Sequence, residues 1–495
     1  MAVSAPALLR LPRIAASEAP DARWVLQALV FAALLCLVGN LVPIAIGLLI
    51  AVPVLLIWMW ASPVRGLYVL LAGGALIEVF PLHFKDSFTD RIPLFTNLNN
   101  SAGLQGFPIT PAEILMLAVA IATLARAVGE RKLRWPEGRI VAAYVIYLVV
   151  VVGAEVHGLL AGGDLKTSLW EMRPQVYGFV LFVLTTSLVE DRRQLLRLGA
   201  IFFLAVLAKA LIGDYRYFIT LGGHVGAQEE VLAHEDSYFL AMFLVAALCA
   251  LIWVKVNRNL VLVLGVVSSL ALLAMLGNTR RAGVYALGGG IVVLILLAYR
   301  FEPQLRKRVV LASLLLVIAG SAFLGASWNK QYGMQAQLVR PVRSLIDPSQ
   351  RDFQSDHYRT AENANLQLTF QSSPIIGVGF GSPYLMAYPQ ADISQIYPLW
   401  NVIPHNTLMW VGMRMGVIGF AAFWALIGMA ILQGLQQLGT RRDPLLRAVA
   451  AFAIAAIVGE LLVGYGDLQL ESYRNLIFLG VVIGVLNRMP QLADA

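Results

Sequence analysis

The sequence has few charged residues for its length. Only 13% of its 495 residues are Asp, Glu, Lys or Arg, whereas 59% are hydrophobic, and this composition excludes an ordinary soluble domain. Repeated apolar runs of about 18 to 20 residues are long enough to cross a bilayer as helices. The sequence therefore predicts an all-α polytopic membrane protein.

Cysteine is scarce, and internal repetition is absent. The two cysteines, Cys36 and Cys249, both lie inside apolar runs, so we expect neither a disulfide framework nor a zinc site. We find no internal repeat of fixed period, which disfavours a transporter built from two related halves.

Positive charge exceeds negative charge, and its distribution predicts the orientation of the chain. A formal net charge of +8 could indicate nucleic-acid binding, but in a membrane protein excess Lys and Arg mark the cytoplasmic loops. Basic residues recur on alternate loops, around Arg131, Arg193, Arg306 and Arg442. We predict that these loops and both termini are cytoplasmic, and that the chain does not bind nucleic acid.

The apolar runs, about fourteen by the length criterion, divide the chain into membrane and loop regions. We predict a cytoplasmic tail over residues 1–23, transmembrane helices 1–11 over 24–326, a large periplasmic loop over 327–405, helices 12–14 over 406–488 and a tail over 489–495. One predicted helix begins at Pro174, which leaves Arg173 on an outward loop.

The large loop ends where the next apolar run begins, in Pro404-His405-Asn406-Thr407-Leu408. Asn406 and Thr407 are suitable N-cap residues, and they place His405 at the outer mouth of a helix, where an anion is favoured. Imidazole titrates near pH 6.5, so a histidine there can act as a general base at about neutral pH. The alternative is a packed histidine that satisfies a hydrogen bond.

Two adjacent arginines, Arg280 and Arg281, lie in the short outward loop 277–283. Arginine is disfavoured on that side of a membrane. A planar guanidinium pairs well with phosphate or carboxylate, which is the functional interpretation, and interfacial snorkelling is the alternative.

Other outward polar residues have competing interpretations. Arg173 and Arg216 are also on predicted outward loops and are candidates to bind an anionic substrate. Each follows an acidic residue by two positions, Glu171 and Asp214, which could pair with it instead. The sequence His-Glu-Asp-Ser at 234–237 resembles a metal-ligand cluster but fits no zinc spacing, and helix capping is favoured.

The last outward loop contains a further acidic candidate, Asp467. In the same loop we expect Glu471 and Arg474 to form a local ion pair, and a solvated loop is the alternative for all three residues.

The late part of the chain, roughly residues 200–480, resembles the O-antigen ligase and O-antigen polymerase superfamily of bacterial envelope glycosyltransferases. The resemblance depends on the large late outward loop and on a set of short motifs. These are Thr-Arg-Arg-Ala at 279–282, Arg359, Ser-Pro-Ile-Ile-Gly-Val-Gly-Phe-Gly at 373–381, His-Asn-Thr-Leu at 405–408, and Gly412, Gly416 and Gly419.

This resemblance implies a GT-C-like bundle of about 12 to 14 transmembrane helices, consistent with the length criterion, and functional roles for residues at the motif positions. By motif position these are Arg281, Arg359, His405 and Asp467. Arg280 stands where the family often has Ser, so either residue of the doublet could face substrate. Arg340, Arg343 and Asn406 are expected to support the site.

The resemblance also implies an activity at the periplasmic face of the inner membrane. The enzyme would transfer a glycan from undecaprenyl diphosphate to a hydroxyl of a glycan or of lipid A core, with inversion at the anomeric carbon. Membrane lipids would be its other partners. Arginines can hold the departing diphosphate. No Asp-x-Asp pair occurs in the outward loops, so we expect no metal and no other cofactor. Ligase and polymerase both remain open, and a flippase of lipid-linked glycan is the alternative from another class.

Overall fold

A computed structural model describes residues 44–79, 89–90, 92–101, 108–131, 135–225, 231–330, 333–395, 397–467 and 469–492. The predicted N-terminal tail, the apolar run that contains Cys36, and the last residues of the predicted C-terminal tail lie outside these ranges.

Helices form the regular structure, and no strand occurs in the ranges above. Apart from one single-turn helix, Leu98–Ser101, the α-helices are α1 (Ile44–Ala61), α2 (Pro63–Leu76), α3 (Pro111–Gly129), α4 (Arg139–Leu160), α5 (Leu165–Leu188), α6 (Arg192–Tyr215), α7 (His234–Trp253), α8 (Arg258–Gly277), α9 (Arg281–Phe301), α10 (Arg306–Ser327), α11 (Met334–Ile346), α12 (Gln350–Ser372), α13 (Thr407–Thr440), α14 (Pro444–Gly464) and α15 (Tyr473–Arg488). A π-helical turn, Arg216–Thr220, extends α6.

Nine helices in the described part of the chain are long and apolar enough to cross a membrane. They are α3, α4, α6 to α10, α13 and α14. Because each of these carries an apolar stretch of the length that a bilayer core requires, the prediction of an all-α polytopic membrane protein is confirmed.

Local capping chemistry explains where many of these helices begin. The side chains of Asp164, Asp191, Asn257 and Asp443 each accept hydrogen bonds from backbone N–H groups in the first turn that follows. Such bonds satisfy donors that a helix N-terminus otherwise leaves unpaired.

Helix α15 lies at the centre of the bundle, since every residue from Tyr473 to Asn487 is buried. It packs closely against α5 through glycine: a Cβ atom at Gly480 would lie only 2.4 Å from the carbonyl oxygen of Gly178. Small residues allow helix backbones to approach in this way.

Helix α5 begins earlier than the sequence predicts. The structure starts it at Leu165, with Asp164 as its N-cap, so Arg173 lies inside a helix and the prediction of a loop there is wrong, whereas its outward side of the membrane stays a prediction. Glu171, Arg173 and Pro174 interrupt the apolar pattern of this helix. The helix nevertheless continues because Glu171 is fully buried against Arg414 of α13.

The region between α10 and α13, residues 328–406, is called the large loop here. It contains the helices α11 and α12, followed by irregular chain over residues 373–395 and 397–406. Helix α13 is interrupted at Gly416, whose φ of 64° is strongly disfavoured for residues with a side chain. Beside this break, Val417 N–H donates to the carbonyl of Pro374 at 2.8 Å. The large loop thus docks against the interrupted helix.

Candidate active site

His405 is held by a buried carboxylate that the sequence analysis missed. Its Nδ1 lies 3.1 Å and 3.2 Å from the two carboxylate oxygens of Glu362, and its backbone N–H donates to Glu362 Oε2 at 3.0 Å. Glu362 is fully buried, whereas the His405 side chain is 22% exposed. A carboxylate accepts hydrogen bonds, so this contact favours the tautomer of neutral imidazole that has the proton on Nδ1 and the lone pair on Nε2. This tautomer is the one that a general base needs.

The helix start predicted after His405 is confirmed. Asn406 is the N-cap of α13, and its Oδ1 accepts from Met409 N–H at 3.1 Å. Its Nδ2 donates to Asn363 Oδ1 at 3.1 Å, so Asn406 also ties the start of α13 to α12. The ring of Tyr358, also on α12, meets the His405 ring edge to face at 5.6 Å between centroids. These contacts fix the position of the imidazole.

Asp467 joins this group from the loop between α14 and α15. One of its carboxylate oxygens lies 3.6 Å from His234 Nδ1. Burial opposes its charge, but the contact with His234 and the charges of Arg359 and His405 hold the pKa of Asp467 well below its usual value. Asp467 is therefore a carboxylate on which three cationic or titratable side chains converge.

Arg359 is the predicted arginine that the structure brings to this group. It lies on α12 one turn before Glu362, which places both side chains on the same face of the helix. Its nearest carboxylate is that of Asp356 at 3.9 Å, and its side chain is 31% exposed. This loose pairing leaves guanidinium donors for an anionic ligand.

A second group of arginines gathers where α9, α11 and α12 meet. Arg281 donates to both oxygens of Asp356, at 2.7 Å and 3.1 Å, and to Ser344 Oγ at 3.0 Å. Arg340 contacts both oxygens of Asp352, and it donates to the carbonyl of Thr279 at 3.0 Å. The donors of Arg281 and Arg340 are therefore engaged in docking the large loop on α9.

Positive charge remains in excess at this second group. Arg351 is exposed, and the partial desolvation of its guanidinium together with the charges of Arg340 and Arg280 lowers its pKa. Burial raises the pKa of Asp352, but hydrogen bonds and charge from Arg340 outweigh it, so the pKa of Asp352 lies below its usual value. An electrostatic field of this kind attracts anions.

Three predicted arginines lie apart from both groups. Arg343 donates to the backbone carbonyls of Trp328 and Lys330 at 3.1 Å and 2.7 Å. Arg173 faces Glu113 of α3 at 3.5 Å, and Arg216 is buried in the π-helical turn after α6. Their surroundings are those of residues that hold the fold, and their role in substrate binding stays a prediction.

A buried ion pair anchors the glycine-rich segment 377–381. Glu171 accepts from Arg414 Nε at 2.7 Å, from Trp410 Nε1 at 2.9 Å and from Gly381 N–H at 2.8 Å. Arg414 also donates to the carbonyls of Gly379 at 3.1 Å and Val402 at 2.8 Å. Both charged side chains are fully buried. Their hydrogen bonds to Gly379, Gly381 and Val402 hold the irregular chain at two places before it reaches His405.

The glycines of this segment permit its close approach to α4. Gly379 has a φ of 76°, and a Cβ there would lie 2.4 Å from backbone atoms of Gly158. In return, a Cβ at Gly158 would lie 2.2 Å from the carbonyl oxygen of Phe380. Glycine is required on both sides of this contact.

The prediction of an ion pair between Glu471 and Arg474 is wrong. Arg474 pairs instead with Asp236, and its Nε donates to the carbonyl of Gly74 at 2.8 Å. Both carboxylate oxygens of Glu471 are buried and have no hydrogen-bond partner within the described part of the chain. Burial, together with the negative charges of Glu171 and Glu362, raises the pKa of Glu471 well above its usual value.

The sequence at 234–237, which resembles a metal-ligand cluster, forms hydrogen bonds that hold helix ends. Asp236 accepts from Ala233 N–H at 3.1 Å, as expected of a residue that caps its own helix, and Glu235 accepts from Ser472 at 3.1 Å. Among the described residues, no cluster of three or more His, Cys, Asp or Glu side chains could hold a metal ion.

Part of the chain is similar to known proteins. Residues 266–424 match the family model described as O-antigen ligase. The chain is also 24% identical over 298 residues to an O-antigen ligase of Salmonella typhimurium, and this match covers 58% of the chain and 69% of the relative. The family match includes the arginine groups, Glu362, His405 and Arg414, whereas Asp467 lies beyond it.

Proposed function

We propose that the chain, which is similar to O-antigen ligases, is a member of the O-antigen ligase and polymerase superfamily and acts as an inner-membrane glycosyltransferase with its active site at the periplasmic face. It transfers a glycan from undecaprenyl diphosphate to an acceptor hydroxyl, inverts the anomeric carbon and uses no metal ion. The observation that carries this proposal is the pairing of His405 with the buried Glu362 beside Arg359.

In the proposed reaction, His405 Nε2 takes the proton of the acceptor hydroxyl. The resulting oxygen attacks the anomeric carbon from the face opposite the diphosphate, and the carbon–oxygen bond to the diphosphate breaks with its electron pair on the leaving group. Glu362 stabilises the imidazolium that forms, as the carboxylate does in a Ser-His-Asp triad. Positioned general bases typically contribute about 10² to 10⁴ in rate.

The leaving group needs cations but no acid. A diphosphate is a weak base, so its departure is assisted by charge alone, and guanidinium groups provide that charge in a planar, bidentate form. We assign the diphosphate first to Arg359, because Arg359 and His405 both act electrostatically on the same carboxylate, that of Asp467. The second group, around Arg280, Arg281 and Arg351, supplies further positive potential.

Ligase and polymerase differ in the acceptor, lipid A core or a lipid-linked glycan, and both remain candidates for this site. A flippase of lipid-linked glycan is the alternative from another class. The buried Glu362 favours the enzyme, because a carboxylate behind an imidazole serves proton transfer, whereas transport requires no base at the membrane surface.

Replacement of His405 tests the proposal. In purified protein, His405→Ala should still bind undecaprenyl-diphosphate-linked glycan but should lose transfer by a factor of about 10² to 10⁴. His357 offers a matched control, since it is an exposed histidine of α12, and His357→Ala should transfer normally. Loss of donor affinity in parallel with rate would instead make His405 a binding residue.

Reporter fusions test the proposed topology separately. Fusions after Gly138, before α4, and after Asp356, in α12 of the large loop, should report opposite compartments. If both reported the same compartment, the proposed periplasmic site would be untenable whatever the activity of the His405 variant.

A further inference from the structure

Helix α11 of the large loop exposes an apolar stripe. Val342, Leu345 and Ile346 are 39%, 77% and 72% exposed, and Phe353, at the start of α12, is 58% exposed. The positions 342, 345 and 346 follow the spacing that places side chains on one face of a helix. Exposed aliphatic side chains grouped in this way outside a core mark a contact surface.

The opposite face of α11 is fastened to the bundle. Ala336 and Val339 are buried, and Ser344 Oγ accepts from Arg281 at 3.0 Å. Tyr285 Oη donates to the carbonyl of Pro341 at 3.1 Å. The orientation of the helix is thereby fixed, and the stripe is directed away from the protein.

The depth of α11 follows from the same contacts. Tyr285 lies about one turn inside α9 from its first residue, Arg281, which is about 6 Å along the helix axis. Helix α11 therefore packs at the end of a membrane-spanning helix, at the level where hydrocarbon gives way to headgroups. Helix α10, which contacts α11, has no part of its apolar stretch buried, as expected of a helix that faces lipid.

The surroundings of the stripe are basic. Lys330 and Arg351 are exposed, and Arg343 lies on α11 itself. The carboxylate of Asp352 is neutralised by Arg340, which leaves Asp347 as an exposed acid in the turn between α11 and α12. An apolar helix face with flanking Lys and Arg is typical of helices that lie in the plane of a membrane interface containing anionic lipids.

We propose that α11 is an interfacial helix, with Val342, Leu345, Ile346 and Phe353 immersed in the bilayer leaflet on the side of the large loop. Two features favour lipid over a second copy of the chain as the occupant: the contacting helix α10 is itself exposed along its whole apolar stretch, and the charges that flank the stripe are mainly of one sign. The immersion does not depend on the proposed function.

A consequence does depend on the proposed function. Since Ser344 and Arg340 connect α11 to Arg281 and to Asp352, an immersed α11 holds the second arginine group at headgroup level. A lipid-linked diphosphate would meet these cations without leaving the membrane.

Spin labels at single cysteines test the immersion directly. In a background of Cys36→Ser and Cys249→Ala, labels are attached at Leu345→Cys, Ile346→Cys, Gln354→Cys and Leu315→Cys, and the protein is reconstituted in vesicles that contain anionic phospholipid. Gln354 is an exposed residue of α12, and Leu315, in α10, is 57% exposed. Collisions of each label with oxygen and with a water-soluble nickel chelate are measured.

The labels at Leu345 and Ile346 should resemble the one at Leu315, accessible to oxygen and shielded from the chelate, whereas the label at Gln354 should be accessible to the chelate. Chelate accessibility equal to that of Gln354 would overturn the proposal. Shielding from both reagents, with spin–spin broadening that disappears on dilution with unlabelled protein, would also overturn it by identifying a second copy as the occupant. A failure of transfer activity would change neither reading, because no turnover is measured.

Discussion

Replacement of Glu362 by glutamine separates proton transfer from substrate binding. The carboxylate accepts from His405 Nδ1 and from the His405 backbone N–H. Glutamine keeps the shape of the side chain but loses the charge that stabilises the imidazolium. Its amide NH₂ group would also face the two N–H donors of His405, in place of an oxygen that accepts from them. A hydrogen bond to a charged group is worth about 1.5 to 3 kcal/mol, which corresponds to a fall in kcat of roughly 10- to 150-fold.

The assay is single-turnover transfer from lipid-linked donor, combined with a direct measurement of donor affinity. Glu362→Gln should lower the rate and leave donor Kd unchanged, because the diphosphate is held by arginines. The exposed Gln367 of the same helix provides the matched control, and Gln367→Ala should be indistinguishable from the unmodified protein.

The double variant supplies the outcome that would refute this reasoning. If Glu362 acts through His405, then Glu362→Gln together with His405→Ala should be no slower than His405→Ala alone, since residues that act as a unit are not additive. Independent, multiplicative losses would show that Glu362 contributes to the reaction by another route, or only to the fold.

Three further predictions follow from other contacts. Arg359→Ala should raise donor Kd about 10- to 150-fold, the equivalent of one charge-assisted bond, and equilibrium binding that stays unchanged would exclude Arg359 from the diphosphate site. Gly158→Ala and Gly379→Ala should reduce the amount of folded protein in membranes, because each Cβ would overlap backbone atoms, whereas Gly153→Ala, in open space on the same helix as Gly158, should be harmless. The lowered pKa of Asp352 gives stability that is complete above the ordinary aspartate pKa of about 3.9 and is lost as the pH falls further; the apparent Tm in detergent should drop there, and Asp352→Asn should remove that part of the drop.

The glycine-rich segment shows how the large loop is coupled to the membrane bundle. Glu171 and Arg414 form an ion pair with no exposed surface, and such a pair is costly to bury unless its remaining hydrogen bonds are satisfied. Here they are satisfied by Gly381, Gly379 and Val402. The pair therefore specifies one docked position for the chain that precedes His405.

The sequence by itself determined the class of the protein and the local start of helix α13. Apolar length and capping chemistry act over a few residues, so the helical segments and the position of His405 beside its cap at Asn406 could be predicted without any tertiary information. Where charged residues interrupt an apolar run, as Glu171 and Arg173 do, the same local criterion failed, and it predicted the start of α5 too late in the chain.

The tertiary structure alone decided which charges meet. Glu362 and His405 are 43 positions apart, and Glu171 and Arg414 are 243 apart, so nothing in either neighbourhood identifies the partner. Arg474 pairs with Asp236 of α7 and not with the nearby Glu471. Helix α15 is buried among other helices, so the guanidinium of Arg474 pairs with a carboxylate on one of them. Pairing of distant charges depends on which helix faces pack together, and that is a property of the folded bundle.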